Sequence, residues 1–173
     1  CSLVAFVFFA IFSAQLVAFE KDILRNVLVE LGVPTLLAAD ILTYETESCY
    51  WRQQPQDKEH HRRVPNNARM RDAPGSHLKC SSDGRVIGLT LDFVTLEGSL
   101  SKHLGALLEL QWISFRWTDL QGEIPKELGQ LHSLVFLNLC GANLTGEIPA
   151  ELGQLPNLKV LDLSFNNHWG KIP

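Results

Sequence analysis

The residue types most often used in metal and thiol chemistry are concentrated in one segment before position 81. His60, His61 and His77 lie between Cys49 and Cys80, and histidine with cysteine is the usual ligand combination for structural zinc. Such sites take their ligands from tight pairs like Cys-x-x-Cys, however, and this segment offers only His77-x-x-Cys80. The spacing therefore predicts no metal site.

The sequence also lacks the residue groupings that enzymes need. It has no Ser-His-Asp arrangement, no paired carboxylate motif and no glycine-rich phosphate loop. Its formal net charge of -4 gives no reason to expect nucleic acid as a partner. With 46% apolar and 20% charged residues it is typical of globular proteins. We therefore expect neither an enzyme nor a cofactor site.

The second half of the chain follows a strict 24-residue repeat over residues 83–173. Complete rows cover 83–106, 107–130 and 131–154, and a fourth row begins at 155. The rows share an apolar column that reads Leu89, Ile113, Leu137 and Leu161. They also share a glycine column that reads Gly98, Gly122, Gly146 and Gly170. Rows in register without gaps predict a repeat architecture.

The order of residues within a repeat indicates how one turn of the chain is built. Each Leu-x-x-Leu-x-Leu segment predicts one short parallel strand, with its leucines inward and the intervening residues on the concave face. One turn cannot bury its own leucines, so stacked turns must share a continuous core. The glycine column allows a tight turn, and Pro125 and Pro149 fix the backbone on the convex side. The prediction is an α/β solenoid.

Two segments carry a resemblance to a known family. Residues 120–129, LQGEIPKELG, and residues 144–153, LTGEIPAELG, resemble the plant-type leucine-rich repeat with its pattern L-x-G-x-I-P-x-x-L-G. That class is typical of the extracellular portions of receptor-like kinases and receptor-like proteins, and of polygalacturonase-inhibiting proteins. The resemblance covers residues 83–173. It implies a right-handed leucine-rich-repeat solenoid that recognises a protein or peptide and is not an enzyme.

The array departs from that pattern in its asparagine column. The asparagine side chain ordinarily ties neighbouring turns together, and the column here reads Val94, Thr118, Ala142 and Asn166. Backbone groups that the asparagines would satisfy need other partners. Ser101 also replaces a proline in the first row, and His168 replaces a leucine in the fourth. We expect lower stability than that of a consensus array.

The residues between the inward leucines form four columns on the predicted concave face. The columns read Gly88, Trp112, Phe136, Val160; Thr90, Ser114, Asn138, Asp162; Asp92, Arg116, Cys140, Ser164; and Phe93, Trp117, Gly141, Phe165. Adjacent rows lie about 4.8 Å apart. At that spacing Trp112 should touch Phe136, and Trp117 should stand near Phe93. Cys140 is expected to point outward as a free or intermolecular thiol, because no neighbouring row has a cysteine in this column.

Aromatic and arginine side chains are the preferred anchors of protein interfaces. We therefore predict a ligand-binding surface made of Trp112, Arg116, Trp117, Phe136, Phe93, Asn138 and Asp162. An alternative is that the aromatic rings only shield one another or are covered by residues 51–79. Asp92 opposite Arg116 could be a simple ion pair between neighbouring rows, with a free energy of about 0–1 kcal/mol.

A helix is predicted from Glu20 to Leu31, because apolar residues recur there at helical spacing. These residues are Ile23, Leu24, Val27, Leu28 and Leu31. Gly32 and Pro34 are stop signals for a helix. The apolar face needs a partner and the first repeat needs a cover, so we expect this helix to belong to an N-terminal cap.

The first 19 residues are uncharged. The predicted boundary lies after residue 18, and we place the cap at residues 19–82. Residues 1–18 fit a secretory signal with cleavage after Ala18. A membrane anchor and a buried helix remain alternatives, since a span needs about 20 apolar residues. The first residue, Cys1, and the end of the chain within a repeat suggest a fragment. We therefore expect further repeats or a partner after Pro173, where membrane attachment is also conceivable.

Residues 51–79 are rich in charge and proline, and most of this segment is predicted to be a solvated loop within the cap. If the protein is secreted, Cys49 and Cys80 are natural disulfide partners across this loop. Plant-type caps carry a tryptophan and two close cysteines, which Cys49-Tyr50-Trp51 and Cys80 resemble at a wider spacing.

Asn143-Leu144-Thr145 is an N-glycosylation sequon, and we expect a glycan on Asn143 if the protein is secreted or at the cell surface. Otherwise the tripeptide is only part of the repeat consensus. The leading hypothesis is an extracellular recognition module, either a receptor ectodomain fragment or a secreted defence or signalling protein. One alternative is an inhibitor of a secreted cell-wall hydrolase. Another is ice or polysaccharide binding, for which the Thr90, Ser114, Asn138 and Asp162 column is a partial match.

Overall fold

The computed structural model describes residues 2–33, 38, 50–52 and 77–173. Its one long helix within these ranges, α1, spans Ser2–Glu30. The strands are β1 Tyr50–Arg52, β2 His77–Cys80, β3 Val86–Thr90, β4 Trp112–Ser114, β5 Phe136–Asn138, β6 Thr145–Gly146, β7 Val160–Asp162 and β8 Asn167–His168.

The concave sheet has the strand order β1-β2-β3-β4-β5-β7. Strands β3, β4, β5 and β7 pair in parallel, and each residue lies beside the residue 24 positions later, as in Leu89 beside Ile113. This register confirms the predicted parallel strand in each repeat. It also means that the columns read from the sequence are columns in space.

Two further strands extend this sheet beyond the first repeat. β1 and β2 pair antiparallel with each other, and β2 pairs antiparallel with β3. They take in both ends of the segment 51–79, at Trp51 and Arg52 and at His77 through Lys79. The rest of the predicted loop lies outside the described residues. The edge of β3 offers unpaired backbone N–H and C=O groups. A neighbouring strand can pair with these groups even when its own sequence shows no hydrophobic alternation.

The convex side and one flank complete each repeat. The convex side carries three 3-10 turns at Lys102–Ala106, Lys126–Gln130 and Ala150–Gln154. The flank carries a second parallel sheet, β6 with β8, which sequence analysis did not predict. Isolated bridges between Ser99 and Gln121 and between Glu123 and Thr145 continue it into earlier rows. The core lies between these layers, and its inward leucines are buried in the first three rows.

Helix α1 covers the end of this core, as predicted for a cap. Its predicted apolar face is at most 7% exposed, and the helix ends before Gly32, which adopts a φ of 68°. Ser99 donates its backbone N–H to the carbonyl of Glu30 at 2.9 Å. A Cβ added to Gly98 would lie 1.9 Å from that carbonyl oxygen, so the close approach requires glycine.

The helix begins earlier than predicted, at Ser2 rather than Glu20. It therefore runs through the predicted boundary between residues 18 and 19, and signal cleavage there stays a prediction. Among the described residues, none of the helices combines the length and apolar character that a membrane crossing needs.

The asparagine column performs its expected role in the fourth row. Asn166 donates to the carbonyl of Leu139 at 2.6 Å and accepts from the N–H of Leu144 at 2.9 Å, which ties the third row to the fourth. Thr118 instead bonds its hydroxyl to the carbonyl of Phe115 within its own row at 3.1 Å. The substitution at position 118 thus replaces a link between rows by a local bond.

Candidate functional site

The predicted contact between Trp112 and Phe136 is present on the concave face. Their ring centroids lie 3.7 Å apart with planes only 6° from parallel. The stack follows from the register of β4 and β5, which places the two residues side by side. Trp112 remains 44% exposed, so the stack still presents apolar surface to solvent.

A polar cluster lies beside this stack, centred on Asp92. The side chain of Asp92 is 0% exposed, whereas the side chain of Arg116 is 29% exposed. The carboxylate accepts hydrogen bonds from the Ser114 hydroxyl at 2.7 Å and from the Arg116 backbone N–H at 2.9 Å. Arg116 adds two more through Nε at 3.0 Å and Nη2 at 2.8 Å. This buried network is more than the simple ion pair between rows that the sequence suggested.

The column at the carboxyl ends of the strands has an unusual backbone. Phe93, Trp117, Gly141 and Phe165 all have φ between 53° and 65°. That conformation is common for glycine but a real outlier for bulky side chains, and it costs roughly 1–3 kcal/mol for each such residue. Because the same φ recurs in all four rows, it belongs to the turn that each repeat makes after its strand.

Trp117 turns away from the first row rather than toward it. Its ring lies against the backbone of Gly141, where an added Cβ would meet ring atoms at 2.6 Å. The ring then meets that of Phe165, 5.5 Å away between centroids. Phe93 instead faces the Arg116 guanidinium, 5.6 Å from its ring centroid. The prediction that Trp117 stands near Phe93 was wrong, because Gly141 leaves room for the Trp117 ring on the side of the third row.

The polar column was expected to point into solvent, but it is mostly enclosed. Thr90, Ser114 and Asn138 are at most 9% exposed. Their polar atoms face protein partners: the Thr90 hydroxyl lies 3.3 Å from His77 Nε2, and Asn138 Oδ1 accepts the N–H of Cys140. Only Asp162 in this column is partly exposed.

Cys140 was predicted to point outward, and that prediction was wrong. The residue is 8% exposed, and its sulfur accepts a hydrogen bond from the Ser164 hydroxyl at 3.3 Å. The thiol is free. The following row covers it, because Ser164 lies directly beside it in the register.

Sequence reasoning missed a second buried carboxylate, Glu20 on α1. Its side chain is 1% exposed and accepts from Arg85 Nε at 2.6 Å and from the backbone N–H of Val86 at 2.9 Å. One signal was available, because Glu20 lies one helical turn before the apolar residues Ile23 and Leu24 and therefore on the buried face.

Some predicted residues stay untested by the structure. Cys49, His60 and His61 lie outside the described residues, so the Cys49–Cys80 bridge stays a prediction. Cys80 itself ends β2. Within the described ranges no three histidine, cysteine, aspartate or glutamate side chains come together as metal ligands do.

The fourth row is much more exposed than the rows before it. Leu161 is 43% exposed, whereas Leu137 in the same column is fully buried. Phe165, Trp169 and Ile172 are 76%, 62% and 89% exposed.

Comparisons with known proteins agree with this geometry. The family model for leucine-rich repeats in two copies matches residues 132–173. The chain is similar to the plant peptide hormone receptor RGFR1 in complex with RGF2, with 32% identity, 56% of this chain and 18% of that chain covered, and a TM-score of 0.52. It is also similar to the Arabidopsis receptor kinase HAESA in complex with the peptide hormone IDA and the co-receptor SERK1, with 36% identity, 51% and 15% coverage, and a TM-score of 0.50.

A third similar structure covers more of both chains. The leucine-rich-repeat ectodomain of the receptor kinase SOBIR1 from Arabidopsis thaliana shares the fold at 21% identity, with 85% of this chain and 66% of that chain covered and a TM-score of 0.56. The chain spans less than a fifth of the length of the two hormone receptors. No curated protein is similar enough to count as a match.

Proposed function

We propose that this chain, which carries a leucine-rich-repeat array of the plant type, is a non-catalytic module that binds a protein or peptide on its concave face. Trp112, Arg116, Trp117 and Phe136 form the centre of the contact. Phe93, Asn138 and Asp162 border it. Asn138 contributes by holding the backbone beside it rather than by reaching the ligand, since it is buried.

The observation that carries the proposal is the cluster of partly exposed aromatic and arginine side chains along neighbouring strands. Two separate aromatic contacts, Trp112 with Phe136 and Trp117 with Phe165, lie on the same face of the sheet. Large rigid rings bury much area at a small entropy cost, and arginine adds directed hydrogen bonds. These properties favour a ligand contact over a purely structural surface.

The similar structures support a peptide or protein as the ligand. RGFR1 and HAESA are described as complexes with peptide hormones, and HAESA also with a co-receptor. We extend the kind of ligand, and no particular hormone, to this chain. The enclosed polar column does not favour the ice-binding alternative, which would need a regular row of exposed hydroxyl groups.

We further propose that the module works outside the cell. Asn143 of the sequon is exposed, so an oligosaccharide would have room there. β1 and β2 pair Tyr50 with Lys79, a register that the predicted Cys49–Cys80 bridge would extend by one residue. Expression in a secreting plant host tests these points: mass spectrometry should find a glycan on Asn143 and a bridged peptide pair. Unmodified protein retained inside the cells would contradict the location.

The binding proposal is tested with a random-peptide library panned against the full chain. We expect selected peptides to lose at least about tenfold in affinity, or 1.4 kcal/mol, for Trp112→Ala. The matched control is Trp169→Ala, which removes another exposed tryptophan away from the concave face and should leave affinity within about twofold. Equal losses for both variants, or no selected peptide, would overturn the proposal.

A further inference from the structure

The most completely satisfied polar group on the concave face is Asp92, and its partner is only half engaged. The carboxylate receives four hydrogen bonds, two of them from the Arg116 side chain. Both of those bonds go to Oδ2 from Nε and Nη2. Within the described residues, Arg116 Nη1 has no protein acceptor. One edge of the guanidinium is therefore fixed, and the other is left for a ligand.

A second contact fixes the plane of the guanidinium. The Phe93 ring lies 5.6 Å from its central carbon, at a distance typical of a cation–π contact. An arginine held on its edge and its face loses little side-chain freedom when it binds. The fork of N–H donors that it presents matches a carboxylate.

The charge of the pair selects the kind of anion. Asp92 already offsets the positive charge of Arg116, so recognition relies on directed hydrogen bonds rather than on a strong net field. A singly charged carboxylate leaves one net negative charge at the site. A phosphate would leave nearly two, at a higher electrostatic cost. The site therefore suits an aspartate or glutamate side chain.

An apolar contact on the same face begins in the row of Arg116 and ends two rows further along. Trp117 leans over Gly141 to Phe165, which is 76% exposed. The contact between Trp117 and Phe165 does not involve the Arg116 network. Its partly exposed rings form a surface that can receive an apolar side chain.

The spacing between the two contacts gives a ligand pattern. Arg116 belongs to the second row and Phe165 to the fourth, and two strand intervals of about 4.8 Å span about 9.6 Å. A peptide in the extended polyproline II conformation rises about 3.1 Å per residue with three residues per turn, so about three residues cover that span and bring the side chain back to the same face. We infer that the ligand is an extended peptide that places an acidic side chain on Arg116 and an apolar side chain three residues away on Trp117 and Phe165. This inference rests on the proposed function.

The experiment uses peptides selected from a random library on the full chain, then resynthesised with blocked ends so that no terminal carboxylate contributes. We expect Asp or Glu three positions from Phe, Leu, Ile or Met. On the wild-type protein, replacing that peptide acid by its amide should weaken binding by about tenfold, as for loss of a charge-assisted bidentate pair. This measurement needs no protein variant and so is independent of folding.

Two protein variants have matched controls within the chain. Arg116→Lys should weaken binding by about tenfold, whereas Arg85→Lys, in the other buried arginine–carboxylate pair, should change it by less than about twofold. Phe165→Ser should also weaken binding, whereas Phe19→Ser, which removes an exposed phenylalanine on α1, should not. On Arg116→Lys the acid-to-amide change in the peptide should have little further effect, because both changes remove the same contact.

The outcomes separate this inference from the proposed function. Peptides that bind and depend on Trp112 but lack the acidic-x-x-apolar pattern, or are indifferent to Arg116→Lys, would overturn the inference and leave the proposed function intact. Failure to select any peptide would overturn both. A pattern that requires a phosphorylated residue would overturn the choice of carboxylate.

Discussion

Among the described residues, two arginine–carboxylate pairs with a buried carboxylate lie in different regions of the molecule. Glu20 with Arg85 joins the cap helix to the first strand, and Asp92 with Arg116 joins the first two rows on the concave face. Both carboxylates are at most 1% exposed, and both also accept a backbone N–H. The arginines differ, since Arg85 is 16% exposed and Arg116 is 29% exposed beside Phe93.

Similar ion pairs therefore serve two purposes in this molecule. A buried ion pair is weak evidence of net stabilisation, because desolvation offsets much of the attraction. It does fix geometry, and what it fixes depends on its surroundings. Beneath α1 the pair sets how the helix docks. On the concave face the pair orients a guanidinium whose other edge meets solvent.

The largest effect is expected from breaking the pair beneath the cap. Arg85→Ala would leave the Glu20 carboxylate buried with only the Val86 N–H, and we expect a loss of about 3–5 kcal/mol in the free energy of unfolding. Urea denaturation measures it. Arg25→Ala is the control, because its pair with Asp22 is exposed and should contribute about 0–1 kcal/mol. Equal, small losses would mean that the cap pair does not fix the helix.

A smaller stability loss is expected from the concave pair. Arg116→Ala leaves Asp92 with the Ser114 hydroxyl and one backbone N–H, so a loss of about 1.5–3 kcal/mol is expected, typical of hydrogen bonds to a charged group. Ligand binding, in contrast, should fall further than for any cap variant that still folds. Calorimetry and peptide titration on the same samples check both. If Arg116→Ala unfolds the chain more than Arg85→Ala does, the division of roles is wrong.

The close approach of the cap helix gives the next test. Gly98→Ala puts a methyl group against the Glu30 carbonyl, and we expect about 1–3 kcal/mol of destabilisation from overpacking. Gly153→Ala is the matched variant, since its added Cβ meets nothing within 4 Å. Thermal unfolding of both checks the prediction. A Gly98→Ala variant as stable as Gly153→Ala would show that α1 does not dock closely on the first repeat.

The sequence predicted those features that repeat. The parallel strands, their register, the stack of Trp112 on Phe136 and the buried face of α1 all follow from periodic spacing. Features that depend on a single side chain or on a distant partner were missed. Trp117 turned toward Phe165 because of the space over Gly141, and Cys140 was enclosed by the next row. Strand β2 pairs through backbone groups, which leave no hydrophobic pattern to read.

The burial of Asp92 and Glu20 could not be predicted from the sequence either, and the reason is electrostatic. Charged residues are mostly exposed, so a column position or a helix position alone favours solvent for them. Burial of a carboxylate becomes favourable only when several hydrogen-bond donors converge on it. These donors can be distant in the sequence, as Arg85 is from Glu20. A periodic pattern assigns a side chain to a face, but not the hydrogen bonds it will find there.

The smallest effect should come from an exposed carboxylate on the same cap, Glu30. The hydrogen bond from Ser101, with the nearby His103 and Lys102, holds the pKa of Glu30 below its ordinary value of 4.5. A carboxyl whose pKa is lower in the folded state stabilises that state above its ordinary pKa. This contribution is lost as the pH falls from the ordinary pKa through the lower pKa of the folded state. We therefore expect Glu30→Gln to flatten the fall in stability between about pH 5 and pH 3.

The effect should be small because Glu30 is 37% exposed, and solvent screens its pair with His103. Urea midpoints measured across that pH range compare Glu30→Gln with Glu123→Gln, an exposed glutamate on the flanking sheet. A steeper acid dependence for Glu30→Gln would contradict the direction of the pKa shift. An effect as large as that of Arg85→Ala would mean that the cap is held at its exposed end, beside Gly98, rather than by the buried pair at Glu20.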